Sequence, residues 1–505
     1  MLQGLACHDR ATPQLLTLMK GQLLALGKQT LIYGLGNVAV QAVGLLTLPV
    51  FGRVFSEAEY GVLELATVTL AALAILADAG LASAAQRSWF DYSDEQHVER
   101  RVVMSTAIIV SLGASGAICA ALVLAREPVS DWLFAGQQYT AVVVLLAAAL
   151  PLTILAQLLR ELMRLRFRAW NYMISASLGA ALTGFLGVGA VLFLDAGLDG
   201  VMWGIVIGAG AATLYGLVVV RADLGTSISS GELRTMLAYG LPLVPAALAV
   251  WALTFIDRIM LGQLSDLAEV GEYAVANRVA MPLLFAVAAF VTAFSPFILA
   301  AHSEDPDGEK RIRARVLIYL TAGLVLMALM LGLFAREIVE IVAPQFDEAY
   351  RATGLVAAGL VAFGLSTVTM TGLSITRRTS HVAVAAGVAA TVNIGLNFLL
   401  IPAWGMIGAA AASLVAYAVL ATLYHLQAQR VYPTPYDLRT VFALCALGGA
   451  LLPLGAVELD PLGLALALKA AALGAFVLAL VRLGIVRGAE VREVARALRL
   501  RAGAS

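Results

Sequence analysis

Fourteen apolar stretches of about twenty residues, each followed by a short polar connection, run through the chain and restrict it to one solvent and one backbone geometry. They span Thr30–Phe51, Tyr60–Leu81, Val102–Leu124, Tyr139–Leu159, Met173–Leu194, Val201–Val220, Met236–Ile256, Tyr273–Leu299, Val316–Phe334, Gly354–Ile375, Val382–Leu400, Met406–Leu426, Val441–Ala456 and Leu462–Val481. Hydrocarbon offers no hydrogen-bond partners, so a spanning segment must satisfy its own backbone as a helix or close a barrel. These stretches are too long for barrel strands and lack a period of two. Only 13% of residues are charged, against about a quarter in soluble domains, too few to clothe a water-facing surface. The expectation is an all-α integral membrane protein with about fourteen transmembrane helices.

Lysine and arginine are retained on the cytoplasmic side during insertion. The N-terminal segment, the even-numbered connections and the C-terminal tail together hold 26 of them. The odd-numbered connections hold five, Arg53, Arg126, Arg258, Arg336 and Arg351, while Arg278 and Lys469 fall inside spans. Both termini are therefore expected in the cytoplasm, with the chain in the cell's inner membrane. Residues 1–29 contain Leu15, Leu16, Leu18 and Met19 followed by Lys20, without a small-residue cleavage site, and read as an interfacial or disordered start, not a signal peptide. In the tail, 483–505, Val491, Val494 and Leu498 share one helical face among arginines, which suits an anionic membrane surface. The net charge of zero argues against a nucleic-acid partner. Cys7, Cys119 and Cys445 are too scattered for a disulfide framework or a metal site.

Part of the chain repeats. Tyr33-Gly34-Leu35 opens the first span and Tyr239-Gly240-Leu241 the seventh, 206 residues later. Gly200-Val-Met introduces the sixth span and Gly405-Met-Ile the twelfth, at an offset of 205. Six spans return a chain to the same membrane face, so the repeat implies two parallel six-helix bundles, 30–222 and 236–432, with two further helices in 433–482. The polar stretch Gly225–Gly231, within 223–235, has the composition of an unconstrained linker.

Polar side chains inside the spans are the candidates for function. Arg278 comes first, because an arginine facing lipid costs about 2.5–3.5 kcal/mol and so points to a cavity or a partner, Asp257 or Glu272, unless it snorkels to the rim. Asn277 stands beside it. Asn37 and Gln41, like Asn393 and Asn397, are four apart and so share a helix face, either lining a cavity or joining helices by hydrogen bonds. These six are the substrate-binding candidates. Asp78, Asp257 and Glu272 are the coupling-ion candidates, with a simple capping role for Asp78 as the alternative. Pro49, Pro242, Pro245, Pro282 and Pro296 permit bends in the first, seventh and eighth spans.

No HExxH, GxSxG or GxxxxGK[ST] motif occurs, and five scattered histidines make no metal cluster. Asp305-Pro-Asp307 reads as a solvated turn. Neither an enzyme nor a bound cofactor is expected.

Several stretches carry a family likeness: Tyr33-Gly34 through Leu46-Leu-Thr-Leu-Pro49-Val50 to Arg53-Val-Phe-Ser56-Glu-Ala-Glu-Tyr60-Gly61, Tyr239-Gly-Leu-Pro242, Ile256-Asp257-Arg258-Ile-Met-Leu261-Gly262, and Gly271-Glu-Tyr273-Ala-Val-Ala276. Thr391-Val-Asn393-Ile-Gly-Leu-Asn397-Phe398 and Gly405-Met-Ile-Gly408 belong with them. Together they resemble the polysaccharide and oligosaccharide flippases, including O-antigen flippases, of the multidrug/oligosaccharidyl-lipid/polysaccharide exporter superfamily. The resemblance implies a central cavity between the bundles and alternating-access transport of a polyprenyl-diphosphate-linked oligosaccharide for cell-surface polysaccharide biosynthesis. Arg278 would attract the diphosphate, H+ or Na+ coupling is compatible, and glycosyltransferases and a polysaccharide polymerase are the implied partners. The rival readings are a lipid II flippase, a multidrug/cation antiporter of the same superfamily, and a membrane polymerase or ligase.

Overall fold

A computed structural model describes residues 36, 40–93, 95–457 and 462–485. Residues 1–29, Asn37 and the tail beyond 485 lie outside the described residues, as does Cys7. Among the described residues all regular structure is helical: α1 (Val40–Val54), α2 (Glu57–Asp78), α3 (Leu81–Trp89), α4 (His97–Leu124), α5 (Arg126–Leu133), α6 (Thr140–Leu165), α7 (Ala169–Leu194), α8 (Gly197–Val220), α9 (Ser230–Gly240), α10 (Val244–Leu264), α11 (Leu267–Glu304), α12 (Pro306–Leu333), α13 (Ala335–Val342), α14 (Tyr350–Ile375), α15 (Thr379–Val431), α16 (Leu438–Leu451) and α17 (Leu462–Arg482). Twelve candidate spans are found among the described residues, α1 being apolar but shorter.

One of the twelve covers 52 residues, about 78 Å of helix against a hydrocarbon core of about 30 Å. It is broken at Gly405, whose φ of 52° and ψ of −132° are not helical. The break frees the Met406 N–H, which donates to Glu269 Oε2 of α11 at 2.8 Å. A Cβ at 405 would overlap that carboxylate. Glycine is therefore required both for the positive φ and for the close approach.

Small residues let neighbouring helices touch. Gly200, Gly204 and Gly208 recur every four residues on α8, and a Cβ on Gly204 would sit 2.8 Å from the Thr183 carbonyl of α7. The same device joins distant parts of the chain where α2 crosses α11. A Cβ on Gly61 would overlap the Leu267 carbonyl, and one on Gly271 would overlap the Glu57 carbonyl. Both pairs, 61 with 271 and 57 with 267, are separated by 210 residues, as are the two N-caps, Ser56 accepting from Glu59 N and Asp266 accepting from Glu269 N. The contact is reciprocal. At the other end of α2, a Cβ on Gly240 would lie 2.8 Å from the Gly80 carbonyl oxygen.

Three details depart from the sequence reading. The 223–235 stretch is not an unconstrained linker: Gly225 N donates to Ser105 Oγ at 3.0 Å and Ser229 N to Thr106 Oγ1 at 3.1 Å, and α9 begins at Ser230. Arg258 is not in an outer connection, because α10 continues to Leu264 and buries it at 6% exposure. Finally, α3, α5, α9 and α13 are helices of 8–11 residues, too short to cross the hydrocarbon core and not separate elements in the apolar pattern.

Candidate functional site

A cavity of about 540 Å³ opens between α2, α10, α11, α14 and α15, with Gln41 of α1 at its wall. Two arginines face it, Arg258 and Arg278, with two carboxylates, Glu64 and Asp257. The helical register explains the set: Glu64, Thr67, Val68 and Ala71 recur at three- and four-residue steps on α2, as Ala274, Asn277, Arg278 and Met281 do on α11.

Arg258 is ion-paired with two carboxylates. Its Nε donates to Glu64 Oε1 at 2.9 Å, and its Nη1 to Asp257 Oδ1 at 2.9 Å and the Thr254 carbonyl at 2.7 Å. Asp257 in turn accepts from Tyr273 Oη at 2.7 Å and Ser413 Oγ at 3.1 Å. A buried charge pair repays its desolvation only when the remaining donors and acceptors are matched, and here both Asp257 oxygens and the Arg258 Nε and Nη1 groups are. Arg278 differs. Its nearest carboxylate among the described residues is Glu64, with Nη2 to Oε2 at 4.0 Å, and its side chain keeps 28% exposure. Its guanidinium lies against Gly44 of α1, where any Cβ would collide with Nη1.

The sequence-based candidates divide into three groups. Arg278, Asn277, Gln41 and Asp257 share the cavity wall, with Asn277 Nδ2 donating to the Tyr273 carbonyl at 2.8 Å. Asn393 and Asn397 are fully buried behind it. Asn397 Nδ2 donates to Asn393 Oδ1 at 3.0 Å and Asn393 Nδ2 to Ser413 Oγ at 3.2 Å, which continues to Asp257. This pair joins helix segments and reaches the cavity through Ser413. Asp78 and Glu272 lie elsewhere. Asp78 Oδ1 accepts from Ala82 N at 3.1 Å, capping α3, and lines a second cavity of about 560 Å³ that shares Ala71, Thr254 and Phe255 with the first. Glu272 accepts from Glu348 N at 3.4 Å, away from both arginines.

Glu64, Arg258, Tyr273 and Ser413 were not among the candidates the sequence offered. The adjacent Asp257-Arg258 pair ended the apolar window and so looked like a span boundary, whereas in the fold the two charges neutralise each other inside the helix. Ser413 carries no signal at all in an Ala-rich run.

The cavity holds an arginine fork over an apolar floor, suited to an anionic group on a largely neutral ligand. Residues 26–302, more than half of the chain, match the family model described as polysaccharide biosynthesis protein. The chain belongs to that family. Its fold is also that of transporters of the MOP superfamily. The lipid II flippase MurJ in an inward closed conformation superposes with a TM-score of 0.71 at 12% identity, covering 90% of this chain and all 100% of MurJ. An inward-facing multidrug resistance MATE transporter superposes at 0.63 with 15% identity, covering 77% and 94%. A variant of the Vibrio cholerae MATE transporter VcmN superposes at 0.56 with 16% identity, covering 81% and 98%. At these identities the likeness is one of fold. No curated protein matches the chain.

Proposed function

We propose that this protein carries a polyprenyl-diphosphate-linked oligosaccharide across the inner membrane by alternating access, for assembly of a cell-surface polysaccharide. Arg278 carries the reading: it stands in a cavity with its guanidinium partly exposed and its nearest carboxylate among the described residues 4.0 Å away, beside an arginine paired with two carboxylates. A diphosphate can take two parallel hydrogen bonds from a guanidinium, and a low-dielectric wall strengthens them. In this reading the chain crosses fourteen times, α15 supplying two crossings, as two parallel six-helix halves followed by two helices, with both termini cytoplasmic. The crossing at Gly61 and Gly271 closes the outer end and the approach of Gly80 to Gly240 the inner end.

Glycosyltransferases would supply the lipid-linked sugar and a polymerase would consume it, with a proton or sodium gradient driving the cycle. Lipid II is the second reading, favoured by the overlap with MurJ. A cationic drug fits less well with two arginines in the wall. The test is export of the glycan at matched protein abundance. Arg278→Ala should impair it severely, and Arg278→Lys should restore part, because lysine keeps the charge without the planar fork. Wild-type export by Arg278→Gln would refute the assignment. Deletion of the gene should hold lipid-linked sugar in the inner leaflet, whereas loss of a polymerase or ligase would strand it in the outer one.

A further inference from the structure

Where α2 crosses α11, three carboxylates converge. Glu57 begins α2, Glu272 projects from α11, and Asp347 lies in the connection between α13 and α14; one oxygen from each lies within 4.8 Å of the others. The reciprocal glycine contact forces this, because Gly271 seats against the Glu57 carbonyl and brings the first turn of α2 onto α11. Repulsion among three such groups would push this end open unless something positive stands between them. The nearby cations are engaged elsewhere. Arg53 donates to the carbonyls of Pro49, Ile341 and Val342, and Arg351 pairs with Glu348.

A second observation points to a ligand. Glu272 is only 3% exposed, one of its oxygens is held by Glu348 N, and Oε2 is buried without a hydrogen-bond partner. A buried carboxylate oxygen left so is costly unless a cation or a proton satisfies it. Three carboxylates, without histidine or cysteine, are a donor set for a hard cation. Oxygens bound at 2.3–2.6 Å to a calcium-sized ion lie up to about 5 Å from one another, which accommodates the observed spacing, and the exposed Asp347 leaves an edge for water ligands and entry.

We propose that a hard divalent cation of the calcium or magnesium class binds between Glu57, Glu272 and Asp347 and clamps this end of the transporter shut. Glu57 belongs to the first half of the chain and the other two ligands to the second, so separation of the halves dismantles the site. By linkage, an ion that binds only the closed end shifts the equilibrium toward it. The clamp rests on the alternating-access reading; the binding site does not.

The full-length protein in detergent, stripped by chelator, is titrated with calcium or magnesium at neutral pH and constant sodium ionic strength, with binding followed by calorimetry and local opening by hydrogen exchange. The expected result is saturable binding of one ion, with slowed exchange in 57–62 and 268–275. Glu272→Gln and the surface variant Asp347→Asn should each weaken binding roughly tenfold or more. Because Asp347 is exposed, its variant tests the site even if the buried one folds poorly. Unchanged binding in Asp347→Asn, binding without slowed exchange, or slowed exchange produced by acidification alone with no divalent binding would each overturn the proposal. Glycan export is measured separately, so loss of the flippase reading would leave the binding result standing.

Discussion

Arg258 Nε donates to Glu64 Oε1 at 2.9 Å, tying α10 to α2 across the base of the cavity. The two residues are 194 positions apart and come from opposite halves of the chain. Together with Asp257 they set the charge of the wall, leaving Arg278 as the cation with the greater freedom to meet a ligand.

Breaking this pair from one side should be worse than weakening it from the other. Arg258→Ala strands Glu64 and Asp257 and is expected to cost about 3–5 kcal/mol. Glu64→Gln keeps an acceptor for Arg258 Nε and should cost much less. Thermal unfolding of the purified protein in detergent compares them; equal losses would mean that the guanidinium is not the hub.

Replacing either glycine of the α2–α11 crossing should loosen that end. Gly61→Ala puts a methyl into the Leu267 carbonyl and Gly271→Ala into that of Glu57, overpacking expected to cost about 1–3 kcal/mol. Since the contacts are reciprocal, the two variants should show similar losses of thermal stability. A stabilising Gly61→Ala would show that the helices do not meet there.

Topology can be read by cysteine labelling in a chain with its three native cysteines replaced. Ser227 and Gln138 are both exposed, in connections assigned to opposite membrane faces by the lysine and arginine distribution. In intact cells an impermeant thiol reagent should spare Ser227→Cys and modify Gln138→Cys. The reverse pattern would invert the orientation.

At the end of α15, the Tyr432 hydroxyl donates to Glu309 Oε2 at 2.9 Å, and burial followed by that acceptor pushes its pKa up to about 12. Tyr436 is likewise pushed up to about 12, chiefly by burial. An unfolded tyrosine titrates near 10, so this contribution to stability is complete below about pH 10 and is lost as pH rises toward 12. In an ultraviolet titration Tyr432→Phe and Tyr436→Phe should each remove one phenol from the late-ionising group. Ordinary titration of both would contradict the packing of this cluster.

The sequence by itself determined the solvent and the helical class. Continuous apolar runs admit little else in hydrocarbon, whereas the helix starts capped within three residues by Ser56, Asp266 and Asp305 became visible in the structure. Asp305-Pro-Asp307, expected as a solvated turn, is instead the capped first turn of α12, with Asp305 accepting from Asp307 N at 3.1 Å. Arg278 was legible as well, because a charge inside an apolar run signals its own cost. What only the tertiary structure decided is pairing. Glu64, Arg258, Asp257 and Ser413 come from three helices, and no local pattern tells an arginine that its partner lies 194 residues away. The same holds for Asn393 and Asn397: four-residue spacing placed them on one face but left open whether that face meets a cavity or another helix segment. Packing against Ser413 decided it, because a buried amide must find a partner wherever the neighbouring helix provides one.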